Sequence, residues 1–201
     1  MTKGTSGVIR AVVFDCFGVL YADEGLLYYQ AVLPRYDEFR SRIFELDDQY
    51  DRGFVSQEEH DQQIAELTGL GYDEIRANVR RKRARNTALL DYIESLRVEY
   101  KVGLLSNIGR GGMGVFFDAN ERKKFFDATV LSGEIGIIKP DPRAFEAMAA
   151  KLGVSPSECV MIDDRAENCD GARTAGMRAV RYDSNQQIMR ELDTLLEHEN
   201  A

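Results

Sequence analysis

Residues 8–20 read VIRAVVFDCFGVL, an apolar run that is interrupted at Asp15. A second apolar run, CVMI at residues 159–162, is followed directly by Asp163 and Asp164. Short runs rich in Val and Ile are typical of buried strands, and an open α/β sheet binds its ligands beyond the carboxyl ends of its strands. We therefore expect these three carboxylates to meet in one crevice. Carboxylates gathered in this way normally require a cation.

The overall composition is that of an acidic globular protein. The chain has 201 residues, a net charge of −8, 44% hydrophobic and 30% charged residues, which indicates one large domain or a domain with an insertion. We expect a cytoplasmic protein without a membrane partner, because no apolar stretch approaches the ~20 residues of a membrane span and no signal peptide is apparent. Cys16, Cys159 and Cys169 form no CxxC pair and suit a reducing compartment. The acidic balance disfavours nucleic acid as a partner.

From residue 87 onward, predicted helices and strands alternate. The predicted strands after the first one are Lys101–Ser106, Ala128–Ser132, Cys159–Ile162 and Arg178–Tyr182. Such alternation is typical of a parallel sheet that is covered by helices on both faces. The predicted fold class is therefore α/β, with a doubly wound, Rossmann-like parallel sheet as its core.

The residues between the first strand and this alternating part contain no convincing strand. Apolar residues from Tyr36 to Tyr50 follow helical spacing, and Ser56 and Glu59 form a capping box that begins a further helix. We therefore predict an α/β core of residues 1–20 and 86–201, with an inserted all-helical cap of residues 21–85.

Four short motifs follow the predicted strand ends in order. They are FDCFGVL at residues 14–20, LLSN at 104–107, KPDP at 139–142 and IDDRAEN at 162–168. Together they resemble the four motifs of the haloacid dehalogenase superfamily, which consists mostly of phosphatases. The helical insertion resembles that of the subfamily with a helical cap, and the chain is most similar to sugar-phosphate phosphatases that lack the second Asp of the first motif. The resemblance implies a phosphatase whose partner is a small phosphorylated metabolite.

Asp15 is the nucleophile that this resemblance implies. A carboxylate with a reference pKa of ~3.9 is ionised at neutral pH and can attack phosphorus, which gives an acyl-phosphate that water later hydrolyses. Since this anion and a phosphate repel each other, we predict Mg²⁺ as cofactor, bound by Asp15 and Asp164. The resemblance adds the backbone carbonyl of Phe17 as a ligand. It leaves Asp163 as either a further ligand or a residue that holds a bound water.

The other predicted site residues follow the remaining strands. Lys139 would neutralise phosphate charge, and Ser106 would donate a hydrogen bond to a phosphate oxygen, so both are predicted as catalytic and substrate-binding residues. Asn107 is a further predicted substrate-binding residue. Asn168 would lie behind the metal ligands and orient groups around the ion.

Phe17 departs from the pattern of most phosphatases in this superfamily, which carry a general acid, Asp, at that position. A phenyl ring cannot transfer a proton, so a step that typically contributes about 10²–10⁴-fold must come from elsewhere or be missing. Two alternatives stay open. One is a metal-independent 2-haloacid dehalogenase with Asp15 as nucleophile, against which the Asp163-Asp164 pair argues. The other is a catalytically weak relative that only binds phosphorylated metabolites.

Three further features have weaker interpretations. The basic run RRKRAR at residues 80–85 is a solvated helix face, a set of charge-pair partners or a rim that steers anionic substrates. Residues 109–114 match GxGxxG, and we interpret them as a flexible connector. We expect His60 and His198 to be exposed helix residues. Monomer and homodimer both stay open.

Overall fold

The computed structural model describes residues 8–23, 25–79 and 84–199 and contains a five-stranded parallel sheet. The strands are β1 Ala11–Phe14, β2 Lys101–Ser106, β3 Ala128–Leu131, β4 Cys159–Asp163 and β5 Arg178–Arg181. Their order in the sheet is β3-β2-β1-β4-β5, and each neighbouring pair is parallel. The prediction of a doubly wound, Rossmann-like parallel sheet is confirmed.

Helices cover the sheet and also fill the chain between β1 and β2. In the described ranges they are α1 Gly25–Val32, α2 Tyr36–Asp51, α3 Gln57–Thr68, α4 Tyr72–Val79, α5 Thr87–Leu96, α6 Ala119–Phe125, α7 Ser132–Ile135, α8 Pro142–Leu152, α9 Ala166–Thr174 and α10 Asn185–Glu199. Two short 3₁₀-helices span Gly112–Val115 and Pro156–Glu158. None of the helices in this part of the chain is both long and apolar enough to cross a membrane.

The side chains of β1 alternate between the two faces of the sheet, because successive residues of a strand point in opposite directions. Val12 and Phe14 belong to an apolar cluster shared with α5 and α10. Ala11 and Val13 belong to a second cluster, which contains Phe145 of α8. Since both faces are covered, β1 is an unbroken apolar run rather than an alternating one.

The register of the central strands brings the carboxyl ends of β1 and β4 level with each other. Phe14 is paired with Leu104 of β2 and with Ile162 of β4. One residue further, the backbone N–H of Asp15 donates to the carbonyl oxygen of Ile162 at 2.9 Å. Asp15 and Asp163 are therefore neighbours at the edge of the sheet where ligands of this fold bind.

Helices α1–α4 have an apolar cluster of their own, separate from the two clusters of the sheet. Its buried members are Tyr29, Leu33, Tyr36, Ile43, Leu46, Ile64 and Ile75. The chain enters and leaves this block at adjacent points, since Ala22 donates to Ala84 at 3.0 Å and Asn86 donates to Leu20 at 2.9 Å along the backbone. The domain boundaries at residues 21 and 85 stay predictions.

Helix α3 begins at the expected capping box, but His60 within it is not exposed. Ser56 and Glu59 each bond the other's backbone N–H. The His60 residue is 5% exposed, and its ring nitrogens lie 2.9 Å from Asp47 Oδ1 and 3.3 Å from Asp61 Oδ1. The prediction of an exposed His60 is wrong, because two carboxylates compensate for the burial of the ring. The side chain of His198 lies outside the described part.

Candidate active site

A lysine bridges two carboxylates at the carboxyl edge of the sheet. Lys139 Nζ lies 2.7 Å from Asp15 Oδ1 and 2.7 Å from Asp163 Oδ2, and all three residues are buried. The carboxylates come from the ends of β1 and β4, and the lysine comes from the loop between α7 and α8. The structure thus brings together three predicted site residues that are far apart in the sequence.

Asn107 holds the backbone of Lys139 in place. Its Oδ1 accepts a hydrogen bond from Lys139 N at 2.8 Å, and its Nδ2 donates to Lys139 O at 3.0 Å. These paired bonds tie the lysine loop to the end of β2. The substrate-binding role of Asn107 stays a prediction, whereas its contact with Lys139 was not predicted.

Asp163 is fully buried and surrounded by donors. Asn168 Nδ2 donates to its two oxygens at 2.9 and 3.0 Å, and the backbone N–H of Arg165 donates to Oδ1 at 3.0 Å. With Lys139 on Oδ2, both oxygens have partners. In this geometry Asp163 and Asn168 orient the lysine and the beginning of α9.

Asp164 differs from its neighbour because one of its oxygens has no partner. Its Oδ1 is buried and makes no hydrogen bond with the described residues. Burial, followed by the charge of Asp163, raises the pKa of Asp164. Gly18, at φ 82°, lies so close that a Cβ there would be 2.4 Å from Asp164 Oδ2. The glycine of the first motif therefore makes room for the carboxylate of the fourth.

The donor set fits a hard divalent cation. Asp15, Asp163 and Asp164 each offer a carboxylate oxygen, and these oxygens lie within 4.8 Å of one another. Lys139 compensates for only part of their charge, and Asp164 Oδ1 lacks a partner. Mg²⁺ prefers oxygen ligands and one or two carboxylates per ion. The ligand role of the Phe17 carbonyl stays a prediction.

Burial dominates the protonation of Asp15. It raises the pKa of this carboxyl from 3.8 to about 8, with a further increase from Asp163 and a decrease from Lys139. Burial alone would lower the pKa of Lys139, but the charges of Asp15 and Asp163 outweigh it and raise the pKa, so the ammonium stays protonated. Positive charge beyond that of Lys139 would favour the ionised form of Asp15.

Ser106 is the last residue of β2, and its hydroxyl has no partner. The residue is fully buried, and Oγ makes no hydrogen bond within the described part of the chain. A buried polar group without a partner costs roughly 1–3 kcal/mol. An oxygen-rich ligand at the sheet edge would remove that cost by accepting a hydrogen bond from the hydroxyl group.

The Phe17 ring packs against another aromatic ring. Its centroid lies 4.8 Å from that of Phe116, with an interplanar angle of 79°. This edge-to-face contact belongs to the partly buried rim of the larger core cluster. The position two residues after Asp15 therefore offers apolar surface and no exchangeable proton.

The end of α2 packs tightly against the loop that follows β2 and against α7, which follows β3. A Cβ on Gly109 would lie 2.2 Å from the ring of Tyr50, and one on Gly53 would lie 2.4 Å from the carbonyl oxygen of Gly133. The glycine-rich run at residues 109–114 thus includes a position that accommodates a tyrosine of α2. Its interpretation as a flexible connector misses this packing.

Asp51, the last residue of α2, is a candidate that the sequence analysis missed. Its carbonyl oxygen accepts a hydrogen bond from Ser132 Oγ at 2.5 Å. The hydroxyl oxygen of Ser132 in turn accepts a hydrogen bond from Ile108 N at 2.9 Å. Asp51 is thereby fixed next to the loop that follows Ser106. The only signal in the sequence is its place at the end of a predicted helix, just before Gly53.

Only the last part of the basic run can be placed. Residues 80–83 lie outside the described ranges. Arg85 forms an ion pair with Glu121 at 2.5 Å and lies over the ring of Phe117 at 5.0 Å. This arginine is a charge-pair partner, one of the roles considered for the run.

Comparison with known proteins gives a family match over most of the chain. The model of haloacid dehalogenase-like hydrolases, a family of hydrolases, matches residues 9–176. Phosphatase MT3486 of Mycobacterium tuberculosis (strain CDC 1551 / Oshkosh) is 45% identical over 73 residues, which is 34% of this chain and 34% of that protein. The chain spans about a third or less of the length of the first curated relatives that it matches.

Two other similarities extend over nearly the whole chain. The sesquiterpene phosphatase astK of Aspergillus oryzae is 26% identical over 194 residues, covering 93% of this chain and 96% of that one. The HAD family enzyme bt-2542 from Bacteroides thetaiotaomicron, solved in complex with magnesium and inorganic phosphate, superposes with a TM-score of 0.72. It is 25% identical, and the match covers 88% of this chain and 96% of that one.

Proposed function

The chain belongs to the haloacid dehalogenase-like hydrolases, and from this premise we propose that it is a Mg²⁺-dependent phosphatase of a small phosphorylated metabolite, such as a sugar phosphate. One observation carries the proposal. At the edge of the sheet, the Asp15–Lys139 ion pair is accompanied by a buried hydroxyl, Ser106 Oγ, and a buried carboxylate oxygen, Asp164 Oδ1, that both lack partners. A phosphate and a cation would satisfy these two groups.

The proposed reaction has two steps at Asp15. Its carboxylate attacks phosphorus, the bond to the leaving-group oxygen breaks, and an aspartyl-phosphate forms, after which water attacks phosphorus and releases Asp15. Within the described part of the chain, the hydrogen bonds from Cys16 N and Lys139 Nζ both reach Oδ1, which leaves Oδ2 for the attack. Lys139 and Ser106 would stabilise the negative charge on the phosphate oxygens.

Asp15 and Asp164, together with the backbone carbonyl of Phe17, are the proposed Mg²⁺ ligands. When bound there, the ion would reduce the repulsion between Asp15 and the phosphate and polarise the phosphoryl oxygens. Asp163 would act through its contact with Lys139 and through Asn168. The unpartnered Asp164 Oδ1 supports this assignment, as does the magnesium complex of bt-2542.

Helices α1–α4 are the proposed cap. Their separate apolar cluster and the adjacent entry and exit of the chain support an inserted unit of residues 21–85. Such a unit would close over the substrate, exclude water and select the organic part of the phosphate ester. The long match to astK supports phosphatase activity for a chain of this whole length.

The test is phosphate release by the purified protein from a panel of phosphate esters, with Mg²⁺ and after treatment with EDTA. The panel contains sugar phosphates, phosphoserine and isoprenoid monophosphates. We expect turnover that requires Mg²⁺ and falls sharply in Asp164→Ala. The matched control is Asp170→Ala, which removes an exposed carboxylate and should retain the wild-type turnover.

Two outcomes would contradict the proposal and favour the alternatives. Halide release from a 2-haloacid at full rate in EDTA, without phosphate release from any ester, would identify a metal-independent dehalogenase. Saturable binding of phosphate esters by protein that never turns them over would identify a binding relative.

A further inference from the structure

A poor leaving group needs a proton that neither Lys139 nor Phe17 supplies. When the phosphorus–oxygen bond breaks, an alkyl oxygen takes the electron pair, and protonation of that oxygen lowers the barrier. The Lys139 ammonium is bonded to two carboxylates, and the Phe17 ring has no exchangeable proton. An acid for this step would therefore have to come from a residue other than these two.

Asp51 is placed at the same edge of the sheet by α2. Its carbonyl oxygen is bonded to Ser132, the residue that follows β3, and the register of the sheet pairs Leu131 with Ser106. The Ser132 hydroxyl also accepts from Ile108, two residues after Ser106. Asp51 is thus bonded to the first residue of α7, which is itself bonded to the loop that follows β2.

The position of Asp51 is rigid, because the residues on either side of it are packed against the core. Tyr50 occupies the space above Gly109, and Gly53 lies against the backbone of Gly133. A reacting group has to be held within small tolerances, and backbone contacts of this kind provide that. The backbone from which the Asp51 side chain extends is therefore held in place at the end of α2.

The carboxyl group of Asp51 is free to act on a ligand. No residue in the described ranges donates a hydrogen bond to it, and the nearby cations Arg52 and His60 are bonded to Asp48 and Asp47 instead. The charged groups that act on it are Asp47, Asp48 and His60 from α2 and α3, and Lys139 from the core. Of these groups, Lys139 belongs to the candidate site, and its positive charge lowers the pKa of Asp51.

We propose that Asp51 is the general acid and base of the reaction, an inference that rests on the proposed phosphatase function. In the first step the protonated carboxyl gives its proton to the leaving oxygen as that oxygen takes the electron pair of the breaking bond. In the second step the carboxylate takes a proton from the attacking water, whose oxygen bonds to phosphorus as the bond to Asp15 breaks. Each turnover returns both aspartates to their starting state.

The protonation of Asp51 suits this cycle. Burial, followed by the charge of Asp47, raises its pKa to about 7, against the opposing influence of His60 and Lys139. An acid–base catalyst is most effective when its pKa lies near the working pH, because both forms are then populated. Asp51 meets this condition at neutral pH.

The experiment compares an alkyl phosphate with p-nitrophenyl phosphate in Asp51→Asn. We expect the rate with the alkyl ester to fall by about 10²–10⁴-fold, while the activated aryl ester loses much less, since its leaving group needs no proton. With the alkyl ester, the wild-type kcat should fall as the pH rises above about 7, and this decline should be absent in the variant. Asp51→Glu should restore part of the alkyl activity.

Asp37→Asn is the matched control, because Asp37 is an exposed carboxylate in the first turn of the same helix. It should leave the ratio of the two rates unchanged. An equal loss on both esters in a folded Asp51→Asn protein, or no loss on either, would overturn the inference alone. A wild-type protein that hydrolyses neither ester would instead overturn the proposed function, and the inference with it.

Discussion

At the scale of the residue, Asp15 is defined by the groups that surround it. Burial normally raises the pKa of a carboxyl well above its reference value. In Asp15 the ammonium of Lys139 opposes this rise, and the cation that Asp164 would help to hold would oppose it further. Asp163 and Asn107 do not have to touch a substrate to matter, because they determine where Lys139 lies.

Asp15→Asn should abolish turnover with the fold retained. The amide is a poor nucleophile, and removal of a covalent nucleophile typically costs at least about 10³-fold in kcat. Phosphate release and circular dichroism would be measured side by side, with Asp170→Asn, an exposed carboxylate of α9, as the control. Near-wild-type phosphate release by Asp15→Asn would rule out the covalent route.

Phe17→Asp tests whether the proposed proton donor can be moved from the end of α2 to the first motif. In the Asp51→Asn background, a carboxyl at position 17 should restore hydrolysis of alkyl phosphates by up to about 10²–10⁴-fold, and it should affect p-nitrophenyl phosphate much less. The readout is the ratio of the two rates. A loss on both esters alike would mean that the new side chain only disturbs the contact with Phe116.

At the scale of the element, the strands and the capping motifs at the ends of helices could be predicted because their signals are local. The apolar runs of β1 and β4, the capping box of α3 and the left-handed Gly69 at its end all follow from a few neighbouring residues. The four strand ends then identified most of the candidate site, because parallel strands bring their carboxyl ends to one edge.

What could not be predicted depends on contacts between distant residues. The bond between Asn107 and Lys139 joins residues that are 32 positions apart in the sequence. The bond between Ser132 and Asp51 joins residues that are 81 positions apart. No periodicity encodes which helix end meets which loop. The prediction of an exposed His60 is wrong for the same reason, since its partner Asp47 belongs to another helix.

His60 predicts a pH dependence for the packing of α2 against α3. Burial would lower its pKa, but the hydrogen bonds with Asp47 and Asp61 raise it to about 9, above the 6.5 of an unfolded histidine. The contribution to stability, on the order of 3 kcal/mol, is therefore complete below pH 6.5 and is lost as the pH rises through about 9.

The measurement is the Tm of wild type and of His60→Gln between pH 6 and pH 10. The difference between the two proteins should be largest at pH 6 and should shrink as the pH passes about 9. A difference in Tm that stays constant across this range would mean that the charge of the imidazolium does not contribute to stability. The effect of the substitution would then come from the packing of the ring alone.

At the scale of the whole molecule, the sheet and the inserted helices are distinct packing units. The two clusters of the sheet draw on β1–β5 and the helices around them, whereas the third cluster draws only on residues between Tyr28 and Ile75. Replacement of residues 22–84 by a short linker should therefore leave a folded core. It should also remove substrate discrimination and, with Asp51 gone, the activity on alkyl phosphates.

The comparison uses the same panel of esters for the parent and the shortened protein, together with their unfolding curves. We expect a cooperative unfolding transition for the core and rates that no longer differ between organic groups of similar leaving-group pKa. Aggregation or absence of a transition, under conditions in which the parent folds, would show that the helices are part of the core.

The backbone bonds of Ala22 with Ala84 and of Asn86 with Leu20 have a consequence for how such a protein can diversify. Because the two connecting segments run side by side, a helical block of different length or sequence can be exchanged between genes without any change in the path of the sheet. The reactive carboxylates would then be inherited from one ancestor and the recognition of the organic group from another. Two halves of one enzyme could in this way have separate evolutionary histories.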